Sequence, residues 1–321
     1  MKIGNVEIKN GVFLAPMAGV TDRAFRHMCK KFGAGGMVTE MVSAKAICYG
    51  DKKTASLAYI LPEERPCGLQ LFGSEPDIMA RAAVSVYEQF GPEFIDINMG
   101  CPAPKIVNNG EGSSLMKNPR LCYEIVKEMK TALDGRCPLT VKIRRGFDAQ
   151  HINAAEVAKM CEEAGADAIF VHARTREQMY MPPVEYSTIA EVKNAVKIPV
   201  IGNGDIMCGC DAVKAMNLTG CDGVMVGRAS QGNPFVFDEI NHFREGKEYT
   251  PPSNEEKLNC VKEHISLLIR DKGEYVGVRE ARKHVAWYIK GLPGSACMRN
   301  RVNLAESSAE MMELIDEAFR V

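Results

Sequence analysis

The 321-residue chain has a single tryptophan, and aromatics make up only 7% of it. It also lacks any marked charge imbalance, with 40 basic against 41 acidic side chains, so a surface basic all over is excluded. Any nucleic-acid binding must come from a local patch. No apolar run approaches the roughly 20 residues of a membrane-spanning helix. The apolar stretch 12–20 is broken by Pro16 and Gly19, and no cleavage pattern follows it. H-E-x-x-H, a P-loop, C-x-x-C and G-x-G-x-x-G are all missing, which removes the commonest zinc, nucleotide-triphosphate and dinucleotide signatures. Cys208-x-Cys210 with Cys221 has poor ligand spacing, so no metal is expected. The 12 cysteines are scattered from Cys29 to Cys297 without a secretory signal, and a reducing, cytoplasmic compartment without a membrane is expected.

What is present is a core-forming composition, 46% apolar, arranged as short apolar segments each followed by helical periodicity. The segments are 12–16, 37–41, 68–72, 94–98, 139–143, 168–172, 199–202 and 223–226, with helices expected over 77–90, 119–133, 153–164 and 187–196. Eight βα units over about 240 residues suit a closed (β/α)8 TIM barrel, whose active sites sit at the C-terminal ends of strands. A doubly wound sheet would be expected to show a glycine fingerprint after its first strand. Here that position reads Ala15-Pro16-Met17-Ala18-Gly19. After Phe243 a polar segment with Pro251-Pro252 leads into helical patterning alone. The expected organisation is a barrel over 1–243, a linker over 244–254 and an all-helical domain over 255–321.

Each strand end carries chemistry. The fourth ends in Asn98-Met99-Gly100-Cys101-Pro102, which places a thiol above the barrel. With an ordinary pKa of about 8.5 it could act as a general acid, or as a nucleophile if paired with a base. The fifth carries Lys142 and Arg144 on one face. A lysine there needs an anion, either a structural carboxylate or a bound cofactor. His172, Arg174 and Arg176 follow on the sixth, Asn203-Gly204-Asp205 on the seventh and Gly227-Arg228 on the eighth. Glycine loops after strands seven and eight commonly seat phosphate.

In the tail, Arg279, Arg282, Lys283, Lys290, Arg299 and Arg301 face Glu280 alone, interleaved with His284, Trp287 and Tyr288. Phosphate contacts and base stacking are one reading. A core tryptophan beneath a solvated basic face is the other.

With Gln70 and Ala15-Pro16-Met17-Ala18-Gly19-Val20-Thr21-Asp22 added, the chain resembles the tRNA-dihydrouridine synthases over nearly its whole length, most closely their bacterial B-type branch. The resemblance implies an FMN enzyme that reduces the C5–C6 double bond of a uridine in tRNA with electrons from NADPH. Pro16, Met17, Ala18, Gln70 and Lys142 would hold the flavin ring, and Lys142 would stabilise its negative charge. His172, Asn203, Gly204, Asp205, Gly227 and Arg228 would hold the phosphate end. The flavin would serve C6 of the base, and Cys101 would protonate C5 from the opposite face. Asn98 would orient the uracil, while Arg144, Arg174, Arg176, Arg282 and Lys283 would meet the tRNA. The alternative is an FMN barrel oxidoreductase reducing a small-molecule C=C bond. A barrel that binds RNA without catalysis, or a Schiff-base barrel on Lys142, are more distant rivals.

Overall fold

The computed structural model describes residues 1–320, with the side chains of residues 52 and 53 left aside. Eight parallel strands close into a barrel: β1 (Val12–Leu14), β2 (Gly36–Val38), β3 (Cys67–Phe72), β4 (Phe94–Met99), β5 (Leu139–Gly146), β6 (Ala168–Thr175), β7 (Val200–Asn203) and β8 (Gly223–Val226). β8 pairs with β1 through Val224↔Val12, and β2 pairs with β3 through Met37↔Cys67, which completes the ring. Strands buried on both faces read as continuous apolar runs, and every residue of β6 is buried. Phe13, Phe94 and Phe170 fill the interior, Phe13 and Phe170 meeting edge to face at 5.2 Å. A hairpin of Lys2–Ile3 and Val6–Glu7 adds Ile3 to this inner cluster.

The covering helices include α1 (Arg23–Lys31), α2 (Pro76–Phe90), α3 (Pro119–Leu133), α4 (Ala154–Glu163), α5 (Tyr186–Ala195), α6 (Gly209–Thr219) and α7 (Val236–Arg244). Their starts are chemically marked. Asp22 caps α1 by accepting from the Phe25 N–H, and Asn118 caps α3 ahead of Pro119. Helices and strands agree with the periodicity to within a few residues, with three instructive exceptions. β1 stops at Leu14, short of Pro16, which has no N–H to pair. β5 and β6 run to Gly146 and Thr175, past their expected ends, with a register shift between Arg144 and Gly146. The second strand breaks after Val38 and resumes only as Val42–Ser43. There the Thr39 hydroxyl, rather than a carbonyl, accepts the Gln70 N–H at 3.1 Å.

The segment 245–253 holds neither helix nor strand, and Ser253 with Glu256 forms a capping box that starts α8 (Asn254–Lys272). α9 (Glu274–Tyr288), α10 (Ser295–Val302) and α11 (Ser308–Phe319) follow. Their apolar cluster also takes in Ala24 and Met28 of α1 and Phe235, so the tail is packed onto the barrel. The stacking expectation for the tail needs correction. His284 and Tyr288 are buried on the inner face of α9, with the Tyr288 hydroxyl 3.2 Å from His264 Nδ1. Helical spacing carries 281, 284, 285 and 288 to that same face. Trp287 is half-buried and edge-on to His284.

A fully enclosed ion pair ties α1 to the loop before β3. Arg26 donates to Glu64 at 2.9 and 3.2 Å and to the Thr21 and Tyr59 carbonyls, with both side chains essentially inaccessible. Removing one partner strands a buried charge. Glu64→Ala should therefore lower the unfolding free energy by about 3–5 kcal/mol, and the double variant Arg26→Met/Glu64→Leu should recover most of it. Urea denaturation of the three proteins measures both effects.

Candidate active site

The C-terminal ends of the strands surround a cleft of about 500 Å³, within the range of cofactor and small-ligand pockets. One wall is apolar. Ala15, Pro16, Met17 and Ala18 continue β1, whose line is held by Ala15 N–H on the Val226 carbonyl at 2.8 Å. Thr21 Oγ1 accepts from Met17 N–H at 3.0 Å and shapes the turn that follows.

A buried polar relay crosses the floor. Gln70 donates to Asp96 at 2.7 Å and accepts from Asn98 Nδ2 at 2.8 Å, while Thr140 donates to the other Asp96 oxygen at 2.7 Å. Burial pushes the Asp96 carboxyl up to about 6, against the lowering effect of its donors and of Lys142. Asn98 Oδ1 in turn accepts from the Cys101 N–H at 2.8 Å. This asparagine therefore fixes the backbone that carries the thiol. Cys101 is half-buried with a free thiol facing the cleft. The Ser113 hydroxyl donates to its carbonyl at 2.8 Å. That strap passes so close that a Cβ at Gly112 would lie 2.9 Å from the Cys101 oxygen, which only glycine allows.

The opposite side is cationic. Among the described residues Lys142 donates to Asn203 Oδ1 alone, at 3.5 Å, and burial, with Arg144 adding to it, pushes its ammonium down to about 8. Arg144 donates to the carbonyls of Gly100, Thr175 and Met179, and burial lowers it to about 10. His172 is held neutral, well below its ordinary value, by burial and then by Arg144, Lys142, Arg174 and Arg228. Asp205, in the left-handed region at φ 46°, takes Arg174 in a two-pronged pair at 3.0 and 2.6 Å and Arg228 at 2.8 Å. These two partners, Arg174 first, keep its carboxylate below its usual range. A Cβ on Gly227 would meet Ala15 Cβ and Met17 Sδ, each at 3.8 Å, so that backbone lies in ordinary contact with the apolar wall.

The cleft thus brings together Pro16, Met17, Ala18, Gln70, Asn98, Cys101, Lys142, Arg144, His172, Asn203, Gly204, Asp205, Gly227 and Arg228. Four expected residues stand elsewhere. Arg174 lies beneath the rim, buried, with its guanidinium committed to Asp205 and to the Met181 carbonyl. Arg176 stacks on Phe147, 5.4 Å from the ring centre and outside the cleft. Arg282 donates twice to the Ala305 carbonyl, bracing the tail. Lys283 donates to the Gly19 carbonyl, at the contact between tail and barrel. Three of these cations find a nearby oxygen and Arg176 an aromatic face, partners that the sequence does not show. Tyr180 is the main residue missing from the sequence reading: it lines the mouth half-exposed, with Arg228 4.9 Å from its ring. Met179 and Met207 join it, and their loops carried no periodic signal. Cys208, Cys210 and Asp211 cluster at the start of α6, while Cys221 is buried outside that group.

Because Lys142 is charged without a carboxylate in contact, it should cost stability. Below pH 8 it is protonated in both folded and unfolded chains, so the penalty is complete. Lys142→Met should raise the unfolding free energy of the ligand-free protein at pH 7 by on the order of 1–2 kcal/mol. The gain should fade as pH climbs from about 8 to the ordinary 10.5, where the folded lysine sheds its proton first. Thermal melts across that window, with no gain at pH 7 as the contrary result, decide it.

The chain matches the family described as Dihydrouridine synthase (Dus) over residues 13–321. It is 41% identical to a probable tRNA-dihydrouridine synthase of Rickettsia conorii, covering 99% of this chain and 96% of that one. It is also 41% identical to tRNA-dihydrouridine synthase B of Pseudomonas putida, over 96% of this chain and 91% of the relative. Among solved structures, an old yellow enzyme homologue from Zymomonas mobilis superposes with a TM-score of 0.54 at 14% identity, covering 80% of this chain and 94% of that one, which shows a shared barrel fold. The chain belongs to the dihydrouridine synthase family, tRNA-modifying oxidoreductases that work with a flavin.

Proposed function

We propose that the protein reduces the C5–C6 double bond of a uridine in tRNA to 5,6-dihydrouridine, with FMN as cofactor and NADPH as electron donor. The observation that carries this reading is one cleft holding a free thiol, an apolar wall and a buried ammonium that, among the described residues, has no carboxylate in contact. The donor set fits an anionic, planar cofactor. Lys142, Arg144 and Arg228 leave the mouth positive even after Asp205 is counted, and the Asn203-Gly204-Asp205 turn and Gly227 line the same cleft, where backbone groups can meet a phosphate. When bound, FMN supplies the electron pair that saturates the double bond, replenished by NADPH.

The chain's own residues do the remainder. Pro16, Met17 and Ala18 exclude water along one wall, and Gln70 presents an amide whose orientation Asp96 and Asn98 set. Lys142 holds negative charge at the centre of the site. Neutral His172, with Asn203, Gly204, Asp205, Gly227 and Arg228, holds the phosphate end. Cys101 gives the proton to C5 of the uracil, its position set through Asn98. Arg144 reaches the cleft beside Cys101 and receives the nucleotide. The target base is stacked within folded tRNA and must be extruded to reach a barrel mouth. The tail supports that step through Lys290 and Arg299, for which the structure shows no ion pair among the described residues.

The test is anaerobic: reduce the protein with NADPH, add tRNA lacking modifications, and follow the flavin absorbance beside a Cys101→Ala variant. tRNA should reoxidise the wild-type flavin, and the variant should do so at least about 100-fold more slowly. A flavin that tRNA leaves reduced would overturn the substrate assignment, and an unchanged variant would overturn the acid.

A further inference from the structure

The loop joining β1 to α1 carries the apolar wall of the cleft, yet it has little regular hydrogen bonding of its own. Val20 and Thr21 donate back to the Met17 carbonyl, at 2.9 and 3.0 Å, and form a single turn. At its tip Gly19 stands at φ 71°, where a residue without Cβ has little to hold it. Two charged side chains from different parts of the molecule grip that tip. The Gly19 N–H donates to Glu40 Oε2 at 2.5 Å, from the interruption of the second strand. The Gly19 carbonyl accepts from the Lys283 ammonium on α9, 264 residues away in sequence. Three residues on, Asp22 caps α1 with one oxygen, and its other oxygen lies 3.7 Å from His284 Nε2 and 3.9 Å from Lys272 Nζ. The tail therefore reaches this loop at two neighbouring points.

We propose that Lys283 and Glu40 are positioning residues for the cofactor-facing loop: holding the peptide groups on either side of Gly19, they set the Pro16–Ala18 wall, so the helical tail helps build the seat for FMN. The proposal rests on the FMN reading above. Both bonds are charge-assisted and so are the strong kind. Each is made to a backbone group at a glycine, where losing one grip leaves the chain free to swing. On this reading Lys283, half-buried with its ammonium engaged, serves the loop in place of the tRNA contact expected from the sequence.

FMN release on dilution of the purified holoprotein, read by flavin fluorescence, tests the clamp. Lys283→Met keeps the aliphatic stem and should weaken FMN binding about tenfold, the worth of one charge-assisted bond. Its tRNA affinity should stay within about twofold, since no phosphate contact is lost. Glu40→Ala should act in the same direction, while Glu40→Gln, which keeps an acceptor for the Gly19 N–H, should restore most of the affinity. Wild-type FMN retention in Lys283→Met, with or without a fall in tRNA affinity, would overturn the proposal. A wild-type protein that holds no FMN would instead remove the cofactor reading on which the clamp depends.

Discussion

Crowding of positive charge at one barrel mouth governs the rest of the site. Lys142 and Arg144 from β5, Arg174 from β6 and Arg228 after β8 converge there, and among the described residues Asp205 is the one carboxylate in ion-pair contact with any of them. Asp205 cannot neutralise four cations, so the arrangement is unfavourable by itself and favourable with an anion. Its effects extend through the cleft. Burial first, and the neighbouring cations after it, push His172 well below its ordinary value and the Lys142 ammonium down to about 8, while Arg144 donates to three backbone carbonyls.

The second organising element is a hydrogen-bonded relay. Thr140, Asp96, Gln70, Asn98 and the Cys101 amide form a continuous chain of hydrogen bonds from the barrel interior to the thiol. Each member restrains the next, so the sulfur sits on a loop whose position is set by strands rather than by solvent. A chain of this kind is sensitive to its weakest link, because a buried polar group left without a partner costs more than the bond it made. The cationic mouth and this relay meet at Lys142, which feels the charge of Asp96 and donates to Asn203.

Much was legible in the chain before folding. A parallel barrel buries both faces of its strands and alternates them with amphipathic helices, so eight apolar segments at regular spacing carry the architecture in linear form. Because barrel chemistry gathers at strand ends, Asn98, Cys101, Lys142, His172, Asn203 and Arg228 could be picked out by position. Their meeting in one cleft follows from closure of the ring. Long cations were the poor signal. Arg174, Arg176, Arg282 and Lys283 share the composition of ligand-binding residues, yet each side chain can span several ångströms to whichever oxygen or aromatic face lies near. Asp205, Phe147, Ala305 and Gly19 took them.

The sequence by itself determined the barrel, the helical tail and the strand ends where chemistry would lie, since periodicity and turn chemistry are local and the chain writes them in order. Only the tertiary structure decided which cations remain free to meet a ligand and that Tyr180 reaches the mouth. It also decided that His284 and Tyr288 pack inward instead of offering stacking faces. Those outcomes turn on partners from separate elements, 24 residues apart for Tyr288 and His264, and a hydrogen bond between Lys283 and Gly19, 264 residues apart, has no trace in the residues around either one.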